Sequence, residues 1–523
     1  MARDIACRLC ASGRLKALTP IHVGGLGDDP LVDLPLARDG RGCFYIPGTS
    51  LAGALRAWTE AAWGKDRTQR LWGYQEQKAD EGSASLVRVN DGLVHSTEDQ
   101  LMCLAGIEEL RDGVGIDRVT GAAALGIKYE RAVLPRDSMI DFALVVELPP
   151  GADAGDRAAI GCLLRALADG EIRLGGGKTR GSGRVRLERL SILEQDLHTR
   201  RGILAALRGQ GSAVALDDLC SGLEPPFGDR PRFVFEIQWA PKGPLMVKSG
   251  AAGTTIDALP LLGLTAKGLA PVLPGSSLKG TLRSQAERIV RTVTNRRAPR
   301  HGDPRQLFLR QVEVPLVDQV FGIATRHDEA GPAPAEGPLP GQGALAVDDC
   351  YAAANTSPAA WQRVVRASSA DELTQALAES GPGWVERATH VAVDRWTGGA
   401  AEGLLFTVLE PREIAWDNIR VEVDLGRVAE VDWKPAVALL LLTLMDLACG
   451  RVPLGFGGQR GLGAIEVRSI GVTCRNADKA GFQWLNEVEL RGCSLAGLDP
   501  RELSGIEQAW RDWVKRHRKG GAE

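Results

Sequence analysis

Two aspartates stand in matching loops of this sequence. Asp33 lies in Val32-Asp33-Leu34-Pro35, and Asp257 lies in Ile256-Asp257-Ala258-Leu259-Pro260. Each sits between a Gly-containing stretch and a later Pro-Gly turn. A loop carboxylate suits Mg2+ or Mn2+, or the positioning of an attacking hydroxyl. No second acid recurs at a fixed spacing from either one, so a complete two-metal set is not readable. Asp28 and Asp29 are a lesser alternative that reads as an acidic turn.

Basic residues stand in two glycine-rich loops, 174–185 (LGGGKTRGSGRV) and 454–465 (LGFGGQRGLGAI). Glycine lets a backbone approach a polyanion closely, and the cations complement phosphate. The candidates there are Gly176, Lys178 and Arg180 in the first loop, and Gly457, Gln459 and Arg460 in the second. A second motif is also doubled: IPGTSLAGALR (46–56) and LPGSSLKGTLR (273–283). Pro-Gly reads as a tight turn, with Thr49, Ser50, Ser276 and Ser277 as helix N-caps. Free N–H groups at a helix start attract anions, and Arg56, Lys279 and Arg283 add charge. Ala52 takes the place of Lys279 in the first copy.

His22 closes the first strand. It reads as strand-end packing, an RNA contact or a general base, and Met246 holds its place in the second copy. Arg118 and Arg395 each follow an aspartate, which leaves a structural Asp–Arg pair and an RNA contact both open. Neither glycine loop opens a helix after a strand, and no GKS or GKT occurs, so a Rossmann or P-loop nucleotide site is excluded. No HExxH pair is present among the seven His. Cys7 and Cys10 form a lone CxxC without further ligands, a poor zinc site.

The elements that must position these residues occur twice in the same order. Asp33 to Asp257 is 224 residues, and Pro47 to Pro274 is 227. Asp117 to Asp394 is 277, and Leu174 to Leu454 is 280. The jump from 227 to 277 puts about 50 extra residues within 288–390 of the second copy. Part of that excess is the Gly/Pro/Ala run 329–343. Each copy reads strand, helix, strands, helix, glycine loop, strand. That is an α+β protein of two tandem ferredoxin-like domains, the topology of RRM-type folds, with inserted hairpins. The expected domains are 1–228 and 229–523. The second carries the insertion and a C-terminal helix with Leu503, Ile506, Trp510 and Trp513 on one face.

The 523 residues are 44% hydrophobic and 25% charged, with net charge −3, as expected of a globular protein with an ample core. A nucleic-acid partner must therefore be held by local basic patches. The longest apolar run, 436–445, is too short to span a membrane. No signal peptide is readable at the start. Ten scattered cysteines suit reduced thiols in a cytoplasm.

The motif series IHVGG, VDLP, YIPGTSLAGALR, GIDRVTG and LGGGKTRGSGRV resembles the RAMP superfamily. IDALP, LPGSSLKGTLR, VAVDRWTGGAAEGLLF and LGFGGQRGLGAI repeat it. The resemblance covers most of 10–190 and 232–470. It is strongest to the backbone subunits of type III CRISPR effector complexes, as a tandem fusion like those of type III-D variants. It implies that each unit grips guide RNA and lets it pair with complementary target RNA. A hairpin thumb, 113–131 and 390–408, would wedge into the duplex. It further implies metal-dependent target cleavage supported by Asp33 and Asp257. The implied partners are a large polymerase-like subunit and further RAMP proteins, with no membrane. Two other readings stand beside this: an inactive structural guide-binding subunit, and a stand-alone guide-processing ribonuclease.

Overall fold

The computed structural model describes residues 4–25, 32–76, 81–96, 100–103, 108–220, 222–227, 230–250, 253–323, 341–478, 481–492, 494–495 and 497–518. Asp28 and Asp29, and most of the 329–343 run, lie outside these residues.

The chain divides into two compact units. The first is built from 1–111, 131–178 and 182–229. The second is 230–523 together with 112–130 and 179–181. Two short segments expected in the first domain thus belong to the second unit.

In the first unit the strands and helices run β1 (Cys7–Ala17), α1 (Gly48–Trp63), β2 (Val87–Val89) and β3 (Gly92–His95). Then come a hairpin of β4 (Glu109–Ile116) and β5 (Ala123–Val133), whose residues 112–130 belong to the second unit, and β6 (Met139–Leu148), α2 (Ala154–Ala168) and β7 (Val185–Asp196). Its sheet is ordered β7-β1-β6, with β2 and β3 both on the far edge of β6. All these pairings are antiparallel. Alternation along β6 buries Ile140, Phe142, Leu144, Val146 and Leu148, as a sheet covered on one face requires. Leu51 and Leu55 of α1, and Leu163 and Leu167 of α2, complete that core.

The second unit repeats the plan. It runs β8 (Arg232–Pro241), α3 (Gly275–Val293), α4 (Pro304–Val312), α5 (Val317–Phe321), β9 (Leu345–Asp348), α6 (Pro358–Arg366) and α7 (Ala370–Ser380). A hairpin of β10 (Val385–Val393) and β11 (Ala400–Pro411) follows. The last elements are β12 (Ile419–Asp424), α8 (Trp433–Ala448), β13 (Ile465–Arg475) and α9 (Pro500–His517). The sheet order is β9-β12-β8-β13, the same order by role as in the first unit. Phe233, Phe235 and Ile237 meet Leu278, Leu282 and the α8 leucines in the core. The α9 face is core as well: Ile506 and Trp513 are buried, and Leu503 and Trp510 pack against them. The excess residues of the second copy supply α4, α6 and α7.

The Pro-Gly boxes do start helices, but Thr49, Ser50, Ser276 and Ser277 are not the caps. Pro47 and Pro274 hold that position without a side-chain bond. The first helical N–H is instead taken by a carboxylate from a neighbouring strand end. Gly48 N–H donates to Asp91 Oδ1 at 2.6 Å, and Gly275 N–H to Asp349 Oδ1 at 2.7 Å. The helix dipole is thus already served by an acid in both copies.

Asp318 on α5 carries a pH dependence. Burial pushes its carboxyl up to about 7, against the Val314 N–H and the Arg283 guanidinium, with Glu313 and Glu287 pushing further up. Its folded-state pKa lies above the unfolded value of 3.8, so the native state holds the proton longer. Its contribution to stability is therefore present below about pH 4 and lost as pH rises towards 7. Asp318→Asn should flatten that part of the stability–pH curve. Thermal melts of both proteins between pH 4.5 and 7.5 test this, and an unchanged slope would refute it.

No described helix is long and apolar enough to cross a membrane. Cys43 and Cys103 form a disulfide, against the expectation that all thiols are reduced. Their 60-residue separation hides the pairing from spacing arguments. Cys7 and Cys10 are free. Burial and the neighbouring Glu194 push the Cys7 thiol up to about 12, which opposes metal binding as thiolate.

Candidate functional site

The two aspartate loops share one register. In the first unit Leu34, next to Asp33, bridges Arg131 in parallel, and Ala132 N–H donates to Leu34 O at 3.0 Å. In the second, Ala258 bridges Val408 in parallel, and Leu409 N–H donates to Ala258 O at 3.0 Å. Each aspartate is therefore pinned beside the strand that leaves the hairpin. Both side chains are exposed. Asp257 Oδ2 accepts from Thr407 N–H at 2.7 Å, and its own N–H donates to Thr407 O at 2.9 Å.

The glycine loops also match bond for bond. Gly176 N–H donates to His22 O at 2.7 Å, and Phe456 N–H to Met246 O at 2.7 Å. Leu174 and Gly183, like Leu454 and Gly463, close each loop by the same N–H to carbonyl bond. Gly183 (φ 91°) and Gly463 (φ 77°) need left-handed backbone, and a Cβ on either would collide with the carbonyl of Leu174 or Leu454.

His22 is buried, and its Nδ1 lies 2.8 Å from the Ala132 carbonyl. It ties the hairpin exit to the glycine loop. Burial pushes its pKa below the ordinary value, which favours the neutral ring. The buried ring and its bond to Ala132 fit the strand-end packing reading.

Lys279 is also interior. It is 6% exposed, and its Nζ donates to Leu345 O at 2.7 Å. Burial drives its pKa well down. Arg283 is tied into the same helix bundle. Its guanidinium donates to Glu287 at 2.7 Å, to Val312 O at 2.7 Å, and to the Gly322 carbonyl. Both expected charges of the second Pro-Gly box are thus engaged within the protein, Lys279 with a backbone carbonyl and Arg283 with Glu287 and two carbonyls. Arg56 is half-buried, Thr49 and Ser276 are exposed, and Ser50 and Ser277 are half-buried.

Arg118 settles as an ion pair, though not with its neighbour Asp117. Its Nε donates to buried Glu287 at 2.6 Å. Its backbone N–H donates to Gln311 Oε1 at 3.0 Å, and Gln311 Nε2 donates to Asp117 Oδ2 at 2.8 Å. Arg395, at the matching position, is exposed, and Trp396 beside it is 96% exposed.

Several residues escaped the sequence reading. Phe406 precedes Thr407 and stacks on His390 at 5.2 Å. The Arg460 guanidinium sits 5.6 Å above Phe406 and 4.9 Å above Phe456. Tyr129 stands 277 residues before Phe406, and its hydroxyl accepts from Arg180 at 3.0 Å. Both copies thus bring an aromatic residue of the hairpin to an arginine of the glycine loop, through the hydroxyl in the first and the ring face in the second. The common offsets of 277 and 280 were the available signal. Gln459 is exposed, while Gly176, Lys178 and Gly457 are half-buried.

The insertion braces the Asp257 loop. Thr255 Oγ1 donates to Ala367 O at 3.1 Å, and Ile256 and Leu259 pack with Val364 of α6, Leu373 of α7 and Leu409 of β11.

Residues 14–186 and 264–466 match a model of the RAMP superfamily, well over half of the chain. The chain belongs to the RAMP superfamily. The superfamily comprises CRISPR-associated proteins that bind and often process RNA. None of the curated proteins compared matches the chain. Asp33 and the first glycine loop fall within the first RAMP region. The second glycine loop falls within the second, and Asp257 lies just before it. Among the described residues, no three His, Cys, Asp or Glu side chains gather to hold a metal ion. A lone carboxylate nonetheless fits Mg2+ or Mn2+, which bind through one or two carboxylates and complete their shells with water and phosphate.

Proposed function

We propose that this RAMP protein is a guide-RNA-binding backbone subunit of a type III CRISPR effector complex, a tandem fusion like those of type III-D variants. In it, two ferredoxin-like domains pair guide with complementary target RNA and cleave the target. It works in the cytoplasm with a large polymerase-like subunit and further RAMP proteins. The observation that supports this most is the repeated register: an exposed aspartate beside a hairpin exit and a glycine loop, twice in one chain.

In this reading each hairpin is a thumb that wedges into the duplex. Leu404, Leu405, Val391 and Trp396 present exposed apolar surface on the second, and Leu125 and Val114 on the first. Arg180 and Arg460 contact backbone phosphate, and the aromatic rings of Tyr129 and Phe406 beside them bear on unstacked bases. Asp33 and Asp257 orient the attacking 2′-hydroxyl beside the scissile phosphate. Mg2+ or Mn2+ held there supplies Lewis-acid stabilisation of phosphoryl charge.

The first test is to purify the chain with its host partners and sequence the bound RNA. Repeat-derived guides support the reading, and their absence overturns it. A second test separates surface from buried cations. Arg460→Ala should weaken RNA binding for all sequences and reduce the slope of log K against log salt by about 0.7. Lys279→Met should leave that slope unchanged, because the ammonium faces the interior. Filter binding across a salt series measures both. Equal slopes in the wild type and Arg460→Ala would place the RNA elsewhere.

A further inference from the structure

We propose that the concavity beside the C-terminal end of α3, in the second unit, binds a linear polyphosphate, either a free inorganic chain or the chain of a nucleotide. The concavity measures about 430 Å3. Four arginines line it, Arg118, Arg288, Arg291 and Arg296, against one carboxylate, that of Glu287. This carboxylate is already taken: it accepts from Arg118 Nε at 2.6 Å and from Arg283 Nε at 2.7 Å. The nearby acids are engaged as well. Asp117 accepts from Gln311 Nε2 at 2.8 Å and from the Thr120 N–H of its own turn, and Asp318 lies 3.3 Å from Arg283. Asp446, which accepts from Gln285, pairs with Arg451 at 2.8 Å.

The arginines are held in place without being neutralised. Arg291 Nη2 donates to Gln311 O at 2.6 Å and Arg296 Nη2 to His517 O at 3.3 Å, and a carbonyl carries no net charge to offset theirs. The Nε–H of each is buried without a hydrogen-bond partner in the protein, a costly state for a charged donor. Arg288 is exposed and makes no ion pair among the described residues. Burial pushes the Arg291 pKa down; Glu287 and Asp318 oppose that shift, and Arg118 and Arg296 add to it. The helix end does not use the positive charge either. Its last carbonyls, those of Val290, Arg291 and Thr292, already accept from the backbone N–H groups of Thr294, Arg296 and Asn295.

The lining selects the ligand. Four cations against one anion leave an excess of three positive charges, more than the about −1.5 to −2 that a single phosphate group carries at neutral pH. Ser284, Thr292 and Asn295 add neutral hydroxyl and amide donors. No aromatic ring occurs among the described lining residues, so a base entering here would find no platform to stack on. A single-stranded RNA would therefore leave its bases unsupported, whereas a chain of phosphates meets a guanidinium fork at each step. Arg288, Arg291 and Arg296 belong to neither the aspartate loops nor the glycine loops, so the site asks nothing of the residues assigned to guide and target.

The test uses the full chain, freed of RNA by nuclease, in buffer without divalent metal. Neither RNA nor a metal ion at an aspartate then takes part, and the result stands apart from the proposed nuclease activity. Titration calorimetry with tripolyphosphate should show saturable binding, and the unfolding midpoint should rise with its concentration. Arg288→Glu should weaken binding about tenfold or more, as an attracting charge becomes a repelling one. Arg300→Glu changes an exposed arginine of the same basic segment outside the concavity, and should alter binding by less than about twofold. Both side chains are exposed, so folding is not at stake. ATP binding as tightly as tripolyphosphate assigns the site to the chain of a nucleotide, and ATP failing to bind assigns it to the free inorganic chain. No binding of tripolyphosphate, sulfate binding as tightly, unchanged binding in Arg288→Glu, or equal losses in Arg288→Glu and Arg300→Glu would each overturn the proposal. So would RNA cross-links to Arg288 and Arg296 that tripolyphosphate does not displace, which would make this face an RNA surface.

Discussion

Asp33→Ala should abolish one target-RNA cut and leave the other, and Asp257→Ala should do the converse. Each carboxylate is fixed to the hairpin exit of its own repeat by equivalent backbone bonds, so each should serve its own phosphate. The loss at the affected position should be on the order of 10²–10³-fold, the scale on which removing one stabiliser of transition-state charge is felt. The double variant should still bind target, because neither carboxylate attracts a polyanion. Chelation of divalent metal should stop both cuts together. The assay uses complementary RNA labelled at either end and the assembled complex. Cutting at both positions by the double variant at full rate would end the aspartate assignment. Loss of one band only across all variants would mean that one repeat is purely structural. Asp257 is anchored through Thr407 on one side and through Thr255 and the α6–α7 brace on the other.

Glu287→Ala should destabilise the second unit by about 3–5 kcal/mol. Its carboxylate is buried and accepts from Arg118 at 2.6 Å and Arg283 at 2.7 Å. Truncation leaves two guanidiniums without their shared anion in a largely buried place. The matching change in the first repeat, Glu60→Ala, removes an exposed side chain and should leave the unfolding midpoint of the monomer in place. Denaturant titration of the two variants checks this directly. Equal midpoints for both would show that the Glu287 cluster does not hold the second unit together.

The repeated architecture was legible because spacing and local pattern encode it. Offsets of 224 and 277 predict that Asp33 and Asp257 occupy equal places beside their hairpins, and the Leu34–Arg131 and Ala258–Val408 bridges show it. Glycine loops announce themselves because only glycine tolerates their backbone. The roles of the cations were not legible. Lys279 and Arg283 look like phosphate contacts in a string of letters, and Arg118 like either that or a partner of Asp117, yet each ends on a carbonyl or on Glu287. A basic residue reads the same whether its partner is an RNA or a carboxylate 169 positions away. The helix starts misled in a similar way. Thr49 and Ser276 match a capping rule, but Asp91 and Asp349 arrive from other strands to take the first N–H. The aromatic rings at 129 and 406 were missed because a single Tyr or Phe in a strand reads as core.

The chain weaves its repeats together, and that limits how it can be taken apart. The second compact unit contains 112–130 and 179–181, which come from the middle of the first repeat. A gene fragment beginning at 230 would carry Glu287 and Gln311 but not the tip they bind. A fragment ending at 229 would carry that tip with nothing to receive it. Division between 229 and 230 therefore separates the first hairpin's tip from the glutamate and glutamine that hold it, so the cut that sequence symmetry suggests is not a cut between finished bodies.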